Sequence, residues 1–518
     1  MKKCFYILVI GLLFLYSCKK KDITEESRLF RPIVVGQLMA DSNTIIATWQ
    51  KMNAAKSYMV QVSRDTFRTI DRSVKLDTNV AQIKGLLYNQ LYQVQVKAIA
   101  ADTVLNSLWS NLGAVKTLTS ILKVPLVTDI TLNSVRVSWT SKGAPVTSVK
   151  IIKTSDSSTV SQTTLTPLNV LNESVIIGGL ASATKYTIFL NSGTDVRGYA
   201  DFTTKAPFVG SVIDLTGIIG RPSVLADTLG LIPAGSTVLL KRGETYNISS
   251  AINLSKSVII LSAPDLAVTT QAKIFFTSNF NFAAGAVIDS LEFNDVFMYS
   301  DNYGSRYAFN TTNSATVGKI KFVNSRVEIF RGILRLQSGT TSVGSLIIDN
   351  SIIDSVSNYG VLTIGSATTK VDNISITNST IYKAEVVITS ASSSNSILID
   401  ACTFHEAPAG NSATYYINYG TTLNVTNGIT VTNCIFGYGK LSAGAVTVRD
   451  YRASATTIMS ATNNFRTSDH LTAGNDFPNI STYNRPAAQL WLDPANGNFK
   501  INDITFPGRF TTGDPRWR

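Results

Sequence analysis

The chain of 518 residues has little of what stabilises a small disulfide-rich or metal-bound protein. It contains four cysteines, of which Cys4 and Cys18 lie near the N-terminus, and only two histidines. A disulfide framework therefore cannot organise the fold, and we expect no histidine-based metal site. Charged residues make up only 15% of the chain against 44% hydrophobic residues, a balance typical of packed cores and not of a disordered chain.

Long hydrophobic runs are also missing. The longest at the N-terminus, Cys4 to Tyr16, follows two lysines and is too short for a bilayer that needs roughly 20 helical residues. Its end, Leu-Tyr-Ser-Cys18, resembles a bacterial lipobox, in which the cysteine is lipidated. We therefore predict a lipoprotein signal peptide at 1–17, lipidation of Cys18 and a polar tether at 18–30. The alternative is an ordinary secretory signal in which the cysteine is incidental.

Basic residues outnumber acidic ones, 46 to 34, which raises the question of a nucleic-acid partner. The excess lies before Phe208 and is scattered, whereas the chain from Phe208 onward is nearly neutral. No motif of basic and aromatic residues follows the pattern that tracks a phosphate backbone. We therefore expect no nucleic-acid partner.

Two similar stretches, residues 31–117 and 118–206, consist of short strands with alternating apolar residues and no helical period. In each stretch an early strand ends in a tryptophan, Trp49 or Trp139. Strands at this spacing predict an antiparallel β-sandwich. Alternation places both tryptophans on the core face, so we favour packing over the other interpretation, a platform for sugar stacking.

The later strands of both stretches share a Leu-x5-Tyr element, Leu86 with Tyr92 and Leu180 with Tyr186. Together with the early tryptophan, this element resembles the fibronectin type III domain, in which the tyrosine forms a corner of the sandwich. The resemblance implies two tandem domains, which usually act as spacers.

After Pro207 the composition shifts to Ser, Thr, Asn, Gly and β-branched residues. The segment from Ile232 to Tyr246, with its Pro-x-Gly-x-Thr strand, resembles the opening coil of pectate-lyase-like right-handed β-helices. A short apolar strand followed by a polar turn then recurs every 23 to 32 residues, a period typical of one rung of a parallel β-helix. The turn positions are Asn294, Asn324, Asn350, Asn378, Ala401, Asn433 and Asn463.

The predicted fold class is therefore all-β: two tandem fibronectin type III-like sandwiches followed by a right-handed parallel β-helix at 207–518. Asparagines stacked on successive rungs would bond to the turn backbone and to one another, so we assign them a structural role and expect a break at Ala401. The same register superposes Cys402 and Cys434, close enough for a disulfide. We favour two reduced, buried thiols.

Stacked rungs also align their outward side chains, so a binding site on such a fold extends across rungs. Counted from the residue after each ladder position, three rows carry carboxylates, bases and aromatics, which can bind sugar hydroxyls or uronate carboxylates. The alternative is an ordinary solvated face. The third place holds Glu328, Asp354, Tyr382, His405 and Gly437, the fourth holds Ile329, Ser355, Lys383, Glu406 and Tyr438, and the sixth holds Arg331, Ser357, Glu385, Pro408 and Lys440. From these rows the candidate binding residues are Glu328, Arg331, Asp354, Tyr382, Tyr438 and Lys440.

The candidate catalytic residues, if the protein is an enzyme, are four residues of the same rows, Lys383, Glu385, His405 and Glu406. The motifs of helical polygalacturonases are absent, and so are the clustered aspartates and the Arg-x-Pro-x-x-Arg element of calcium-assisted lyases. We therefore expect no metal and no cofactor, with calcium required only if the protein is a lyase.

The C-terminal Gly-Asp-Pro-Arg-Trp517 resembles the end of β-helix lipoproteins of glycan utilisation, and we expect it to cap the last rung. These resemblances imply a lipid-anchored protein of the outer membrane that faces the cell exterior and binds a polysaccharide, for instance a pectin-like or other acidic glycan, without cleaving it. They also suggest an outer-membrane glycan transporter as a partner. The alternatives are a polysaccharide lyase or glycoside hydrolase, and a structural or adhesive stalk.

Overall fold

Residues 27–409, 414–440 and 447–518 are described by a computed structural model, in which nearly all regular structure is β. The chain divides into two units, one up to Ala206 and one from Pro207 onward. The predicted signal peptide, Cys18 and most of the tether lie outside the described residues. Among the described residues, no helix is both long and apolar enough to span a membrane.

The first unit contains two β-sandwiches, each built from one three-stranded and one four-stranded antiparallel sheet. The strands of the first sandwich are Met39–Asp41, Thr44–Thr48, Ser57–Ser63, Arg72–Leu76, Val80–Ile83, Leu91–Ile99 and Ser110–Lys116. Those of the second are Leu122–Lys123, Val135–Trp139, Ser148–Lys153, Thr159–Thr164, Ser174–Ile177, Lys185–Ser192 and Asp195–Thr203, with a short helix at Pro167–Leu171.

Both tryptophans predicted to pack in the cores do so. Trp49 and Trp139 are fully buried, and the Trp49 ring meets the Tyr58 ring edge-on at 5.2 Å. Burial of such a large apolar side chain contributes much of the core of a small sandwich. The prediction of a core role is confirmed.

The tyrosine corners are present as well. The phenol oxygen of Tyr92 accepts a hydrogen bond from the Leu87 amide at 3.0 Å, and that of Tyr186 accepts one from the Ala181 amide at 2.9 Å. In each sandwich the tyrosine thus ties its strand to the preceding loop, as the fibronectin type III-like resemblance implies. The predicted fold class is confirmed for this unit.

The second unit is a parallel β-helix of about nine turns with three faces. Strands of the first face are Val212–Asp214, Ser236–Leu240, Val258–Ser262, Ala286–Asn294, Ala315–Val323, Ser342–Asp349, Lys370–Thr377, Ser396–Asp400, Ile429–Thr432 and Met459–Thr462. Those of the second are Thr245–Ile248, Ala272–Phe276, Val296–Ser300, Thr380–Ala384, Thr403–His405, Ile435–Phe436, Asn464–Arg466 and Ile480–Thr482.

Strands of the third face are Ile252–Leu254, Phe280–Phe282, Tyr307–Thr311, Ile388–Ser390, Tyr415–Asn418, Thr447–Arg452 and Leu471–Thr472. Two long strands, Arg326–Leu336 and Ile352–Ile364, bend across from the second face to the third. Short helices occur at Val224–Leu229 and Ala487–Leu490, and a hairpin of Trp491–Asp493 with Asn498–Ile501 lies near the C-terminus.

Inward side chains of successive rungs stack into one continuous hydrophobic core. Phe404 and Phe436, on neighbouring rungs, stack with ring centroids 5.1 Å apart, and Phe293 and Phe322 stack at 5.5 Å. Since one rung cannot close its own core, each rung depends on the apolar surface of its neighbours.

The asparagine ladder forms at the turn between the first and second faces. Asn324, Asn350, Asn378 and Asn433 all adopt the left-handed backbone conformation, with φ between 47° and 55°. This conformation is less costly for asparagine than for most residues, which explains its recurrence at this turn. The Asn350 side-chain amide donates to Asn324 Oδ1 at 2.6 Å.

Two details of the ladder differ from the prediction. Its first member is Asp295, and not Asn294, because Asn294 pairs with Val323 and still belongs to the strand. At Ala401 the ladder is interrupted as expected, but the gap is bridged. The Asn433 side-chain amide donates instead to the carboxylate of Asp400 at 2.7 Å.

The cysteines that follow the ladder on successive rungs are free thiols. Cys402 and Cys434 are fully buried, in agreement with the favoured interpretation. Burial raises the pKa of the Cys402 thiol well above its usual value. Both thiols therefore pack as small apolar groups in the column.

Candidate functional site

The third and fourth predicted rows are aligned in the β-helix. The sixth is not, because the register shifts between Phe330 and Gly332 and because Lys440 pairs with Ala409 and not with Pro408. Glu328, Asp354, Tyr382 and His405 are paired in parallel register on four successive rungs of the second face. The fourth row lies at the bend between the second and third faces. Its members with positive φ are Ile329, Ser355, Lys383 and Glu406.

The C-terminal strap, which we define as residues 483–518, lies across the second face. The strap begins on the last rungs, where the Tyr483 amide donates to the Arg466 carbonyl at 2.8 Å. The prediction that the motif at 513–517 caps the last rung is wrong, because this motif contacts the middle rungs. The indole N–H of Trp517 donates to Thr380 Oγ1 at 2.7 Å, and the Gly513 amide donates to the Asn433 carbonyl at 2.8 Å. Asp514 pairs with Arg516 as expected, at 3.0 Å.

The strap buries part of the third row, which was expected to face solvent. His405 is fully buried, with its ring 5.3 Å from the Trp491 ring and 5.6 Å from the Phe499 ring. On its other side the ring contacts Tyr438 at 4.4 Å. Burial lowers the pKa of His405 to about 3, so the imidazole is neutral and isolated from solvent. The expectation of solvent exposure is wrong for His405 and for Tyr382, which is also buried beneath the strap.

The carboxylates of the third row are neutralised internally. Arg326 donates to Glu328 at 2.6 Å and to Asp354 at 3.1 Å. The Tyr382 hydroxyl also donates to Asp354, at 2.5 Å, and burial together with this carboxylate raises the pKa of Tyr382. These groups satisfy one another, and their role as ligand contacts stays a prediction.

The remaining candidates are split between two neighbourhoods. Lys383 Nζ donates to the Ala495 carbonyl of the strap at 3.0 Å, while burial raises the pKa of Glu406. Glu385 instead accepts a hydrogen bond from the Tyr303 hydroxyl at 2.7 Å and lies 3.3 Å from Lys440 Nζ. The structure therefore brings Glu385 and Lys440 together and ties Lys383 to the strap.

The third face carries a cluster that the sequence analysis missed, apart from one member. The ring of Tyr359 contacts two guanidinium groups, with Arg335 Cζ 3.9 Å and Arg331 Cζ 4.7 Å from its centroid. Arg335 also donates to the phenol oxygens of Tyr359 at 3.1 Å and of Tyr307 at 3.3 Å. Planar stacking and hydrogen bonding together hold the cation of Arg335 in one orientation.

A glycine makes room for this cluster. A Cβ atom on Gly332 would lie 2.8 Å from Tyr359 Cβ and 3.3 Å from the Tyr307 ring. Only a residue without a side chain therefore lets the two rings approach, and their centroids are 5.6 Å apart.

A second arginine pair occupies the same face nearer the C-terminal end. Arg449 donates to the Tyr415 phenol oxygen at 2.9 Å, and the Cζ atoms of Arg449 and Arg452 lie 5.7 and 5.9 Å from the Tyr415 ring. Both arginines line an open cleft of about 650 Å³. The cleft is lined by Tyr415, Thr421, Arg449, Tyr451, Arg452, Ala453, Ser454, Ala455, Thr457 and Asn475.

The charges of these four arginines are not compensated. Within the described residues, Arg331, Arg335, Arg449 and Arg452 form no ion pair, and the Nε atoms of Arg335 and Arg449 are buried without a hydrogen-bond partner. Of the other arginines of the β-helix, Arg509 and Arg518 donate to backbone carbonyls and the rest are paired with carboxylates. These pairs are Arg221–Asp227, Arg242–Asp295, Arg306–Asp301, Arg326–Glu328, Arg466–Asp476, Arg485–Asp503 and Arg516–Asp514.

The third face, with uncompensated guanidinium groups held by tyrosines and one open cleft, is therefore the candidate site. It can bind anionic groups such as carboxylates or sulfates in bidentate fashion. Across the part of the chain that the structure covers, no cluster of three or more His, Cys, Asp or Glu could hold a metal ion. The sequence signal that marks the site is the Arg-x-x-x-Arg spacing of Arg331 with Arg335, which recurs in shorter form as Arg449-x-x-Arg452.

Comparisons with known proteins concern the fold. Two family models match the β-helix unit, a domain of unknown function (DUF4957) over residues 244–384 and another (DUF5123) over residues 397–517. No curated protein matches the chain.

Two solved structures are similar to the N-terminal unit. One contains the chicken CNTN1 FN1-FN3 domains, with 16% identity over 35% of this chain and 65% of that chain and a TM-score of 0.16. The other is a two fibronectin type-III domain segment from chicken tenascin, with 16% identity over 34% of this chain and 99% of that chain and a TM-score of 0.16. The chain thus spans 65% of the length of the first structure.

Proposed function

We propose that the protein is a lipid-anchored protein of the outer membrane, facing the cell exterior, whose β-helix binds an acidic polysaccharide without cleaving it. The observation that carries the binding role is the set of four uncompensated arginines on the third face. A buried or half-buried cation without a counter-ion is costly, and an anionic ligand removes that cost when it binds. Tyrosine rings next to the cations add surfaces on which sugar rings stack.

The anchor and the partner are part of the same proposal. Lipidation of Cys18 would tether the chain, and a Cys18→Ala variant should then be released from the membrane fraction and fail to incorporate labelled palmitate. A protein that captures polysaccharide at the surface would deliver it to an outer-membrane glycan transporter.

The binding role is tested with a glycan array that contains uronate, sulfated and neutral polysaccharides, probed with the purified full chain. We expect binding to acidic glycans only, with an affinity that falls as salt rises, because surface charge interactions are screened over about 10 Å at 0.1 M ionic strength. Arg331→Ala combined with Arg335→Ala should weaken this binding at least tenfold. Arg306→Ala is the matched control, because its charge is already paired with Asp301.

A polysaccharide lyase acting on the same class of glycan is the second candidate. It is favoured by the cluster of Tyr303, Glu385 and Lys440 at the edge of the third face, since hydroxyl, carboxylate and amine groups in contact can exchange protons. An ultraviolet assay for unsaturated uronate products separates the two: product formation that is lost in Lys440→Ala would establish the lyase. Absence of both binding and product would leave a structural stalk.

A further inference from the structure

One arginine of each of the two arginine pairs of the third face lies on a single continuous row. We call Arg331 with Arg335 the first pair and Arg449 with Arg452 the second pair. Residue pairing runs without interruption from one pair to the other across five strands. The row consists of Arg335, Thr363, Thr389, Asn418 and Arg452.

The distance between the pairs follows from the fold. Arg335 and Arg452 are separated by four inter-strand steps of about 4.8 Å, or roughly 19 Å along the column. The intervening positions, Thr363, Thr389 and Asn418, are uncharged and carry hydroxyl or amide groups. Thr389 and Asn418 can hydrogen-bond sugar hydroxyls. Thr363 is buried, and its hydroxyl donates to the Tyr359 carbonyl at 2.6 Å. None of the three attracts or repels an acidic group.

We infer that the two pairs are the two ends of one extended site, and that the ligand is an acidic polysaccharide chain lying along the column, perpendicular to the strands. This inference rests on the proposed function and deepens it. The site requires acidic groups roughly 19 Å apart and tolerates neutral sugars between them. A ligand too short to reach both pairs binds only one of them.

An extended site of this kind predicts that affinity depends on the length of the ligand. Once a long chain is held by one pair, its binding to the other becomes intramolecular, and such linkage raises affinity by about 10² to 10⁴ without new contacts. Extra repeats alone give only a few-fold statistical gain. A jump in affinity at the length that reaches both pairs therefore distinguishes one extended site from two separate ones.

The experiment uses the full chain with galacturonic acid oligomers as probes, from a dimer to about ten residues, studied by isothermal titration calorimetry. For the unmodified protein we expect a jump of at least tenfold in affinity as length increases, with one long oligomer bound per protein. Removal of either pair, by Arg331→Ala with Arg335→Ala or by Arg449→Ala with Arg452→Ala, should bring the affinity for the long oligomer down to that for the dimer.

Two outcomes would contradict the inference. If affinity does not jump with length and two long oligomers bind per protein, the pairs are independent sites and the inference is wrong, although the proposed function stands. If no oligomer of any length binds the unmodified protein, and a sulfated dextran does not bind either, the proposed function fails as well. The length series of the unmodified protein decides the question even where a variant folds poorly.

Discussion

The second and third faces of the β-helix are built on the same lattice and yet present opposite surfaces. On the second face Arg326 neutralises Glu328 and Asp354, and the C-terminal strap covers the aromatic residues beside them. On the third face Arg331 and Arg335 contact tyrosine rings, Arg331 also donates to Asn358 at 3.0 Å, and neither forms an ion pair within the described residues. Register alone therefore does not make a site. Charge compensation and coverage decide which row can meet a ligand.

The contrast between a covered second face and an open third face is tested most strongly at Trp491 of the strap. This side chain is 1% exposed, whereas that of its neighbour Leu492 is 56% exposed. We expect Trp491→Ala to lower the free energy of unfolding of the β-helix by about 3–5 kcal/mol through loss of buried surface and a cavity. Leu492→Ala, the matched control, should change it by less than about 0.5 kcal/mol. Chemical denaturation followed by circular dichroism measures both, and equal effects would mean that the strap does not cover the second face.

The dependence of stability on pH provides a second test of whether the strap covers the second face. Because the pKa of His405 is lowered to about 3 by burial, the unfolded chain binds one more proton than the folded chain below the ordinary histidine pKa of about 6.5. The stability contributed by neutral His405 is complete above about pH 6.5 and is lost as pH falls toward 3, at up to about 1.4 kcal/mol per pH unit. His405→Leu should flatten this part of the stability profile. An unchanged slope would place His405 in contact with solvent.

Removal of a charge from the third face should have a smaller effect, which is measured as a loss of affinity. Arg335→Ala should weaken binding of an acidic polysaccharide about tenfold, which corresponds to about 1.4 kcal/mol. Arg335→Lys keeps the charge but loses the planar stacking on Tyr359, so its affinity should lie between those of the unmodified protein and the alanine variant. Arg326→Ala, on the second face, should reduce stability and leave the affinity unchanged. Calorimetric titration tests all three, and a binding defect in Arg326→Ala alone would reverse the assignment of the faces.

The smallest effect is expected for the phenol groups that orient the guanidinium. Tyr359→Phe retains the ring under Arg335 and removes one hydrogen-bond acceptor, so binding should weaken about two- to fivefold, or about 0.5–1 kcal/mol. This is less than the full value of a hydrogen bond to a charged group, because the guanidinium keeps its ring contact and its bond to Tyr307. Tyr199→Phe in the second sandwich provides the control for an exposed phenol. Tighter binding in Tyr359→Phe would show that this contact restrains Arg335 unproductively.

Much of the fold could be predicted because each prediction rests on a local rule. The Leu-x5-Tyr corners need only a fixed offset, and the ladder needs a residue that accepts a positive φ after an apolar strand. Where two polar residues stood side by side, as at Asn294 and Asp295, the spacing could not tell which one begins the turn. A rule based on single positions also could not predict that the Asp400 carboxylate bridges the gap at Ala401.

The candidate site could be predicted only in part. Counting residues from the ladder aligns neighbouring rungs near the ladder but no longer does so farther along each rung. Rung lengths of 23 to 32 residues vary mainly after the second face, so Arg335 and Arg452 could not be placed in one row by counting. Sequence separation likewise says nothing about which rung a terminal segment contacts, and for this reason the strap over His405 was missed.

The strap also affects how the β-helix unfolds locally. In most solenoids the end rungs fray first, because each contacts only its neighbours. Here Arg516 donates to Asn350, Asp514 accepts from Thr380, and Gly513 donates to Asn433, so a single segment clamps rungs that are not adjacent. The C-terminal half should consequently exchange its amide hydrogens as one cooperative block, with no gradient of protection running inward from its end.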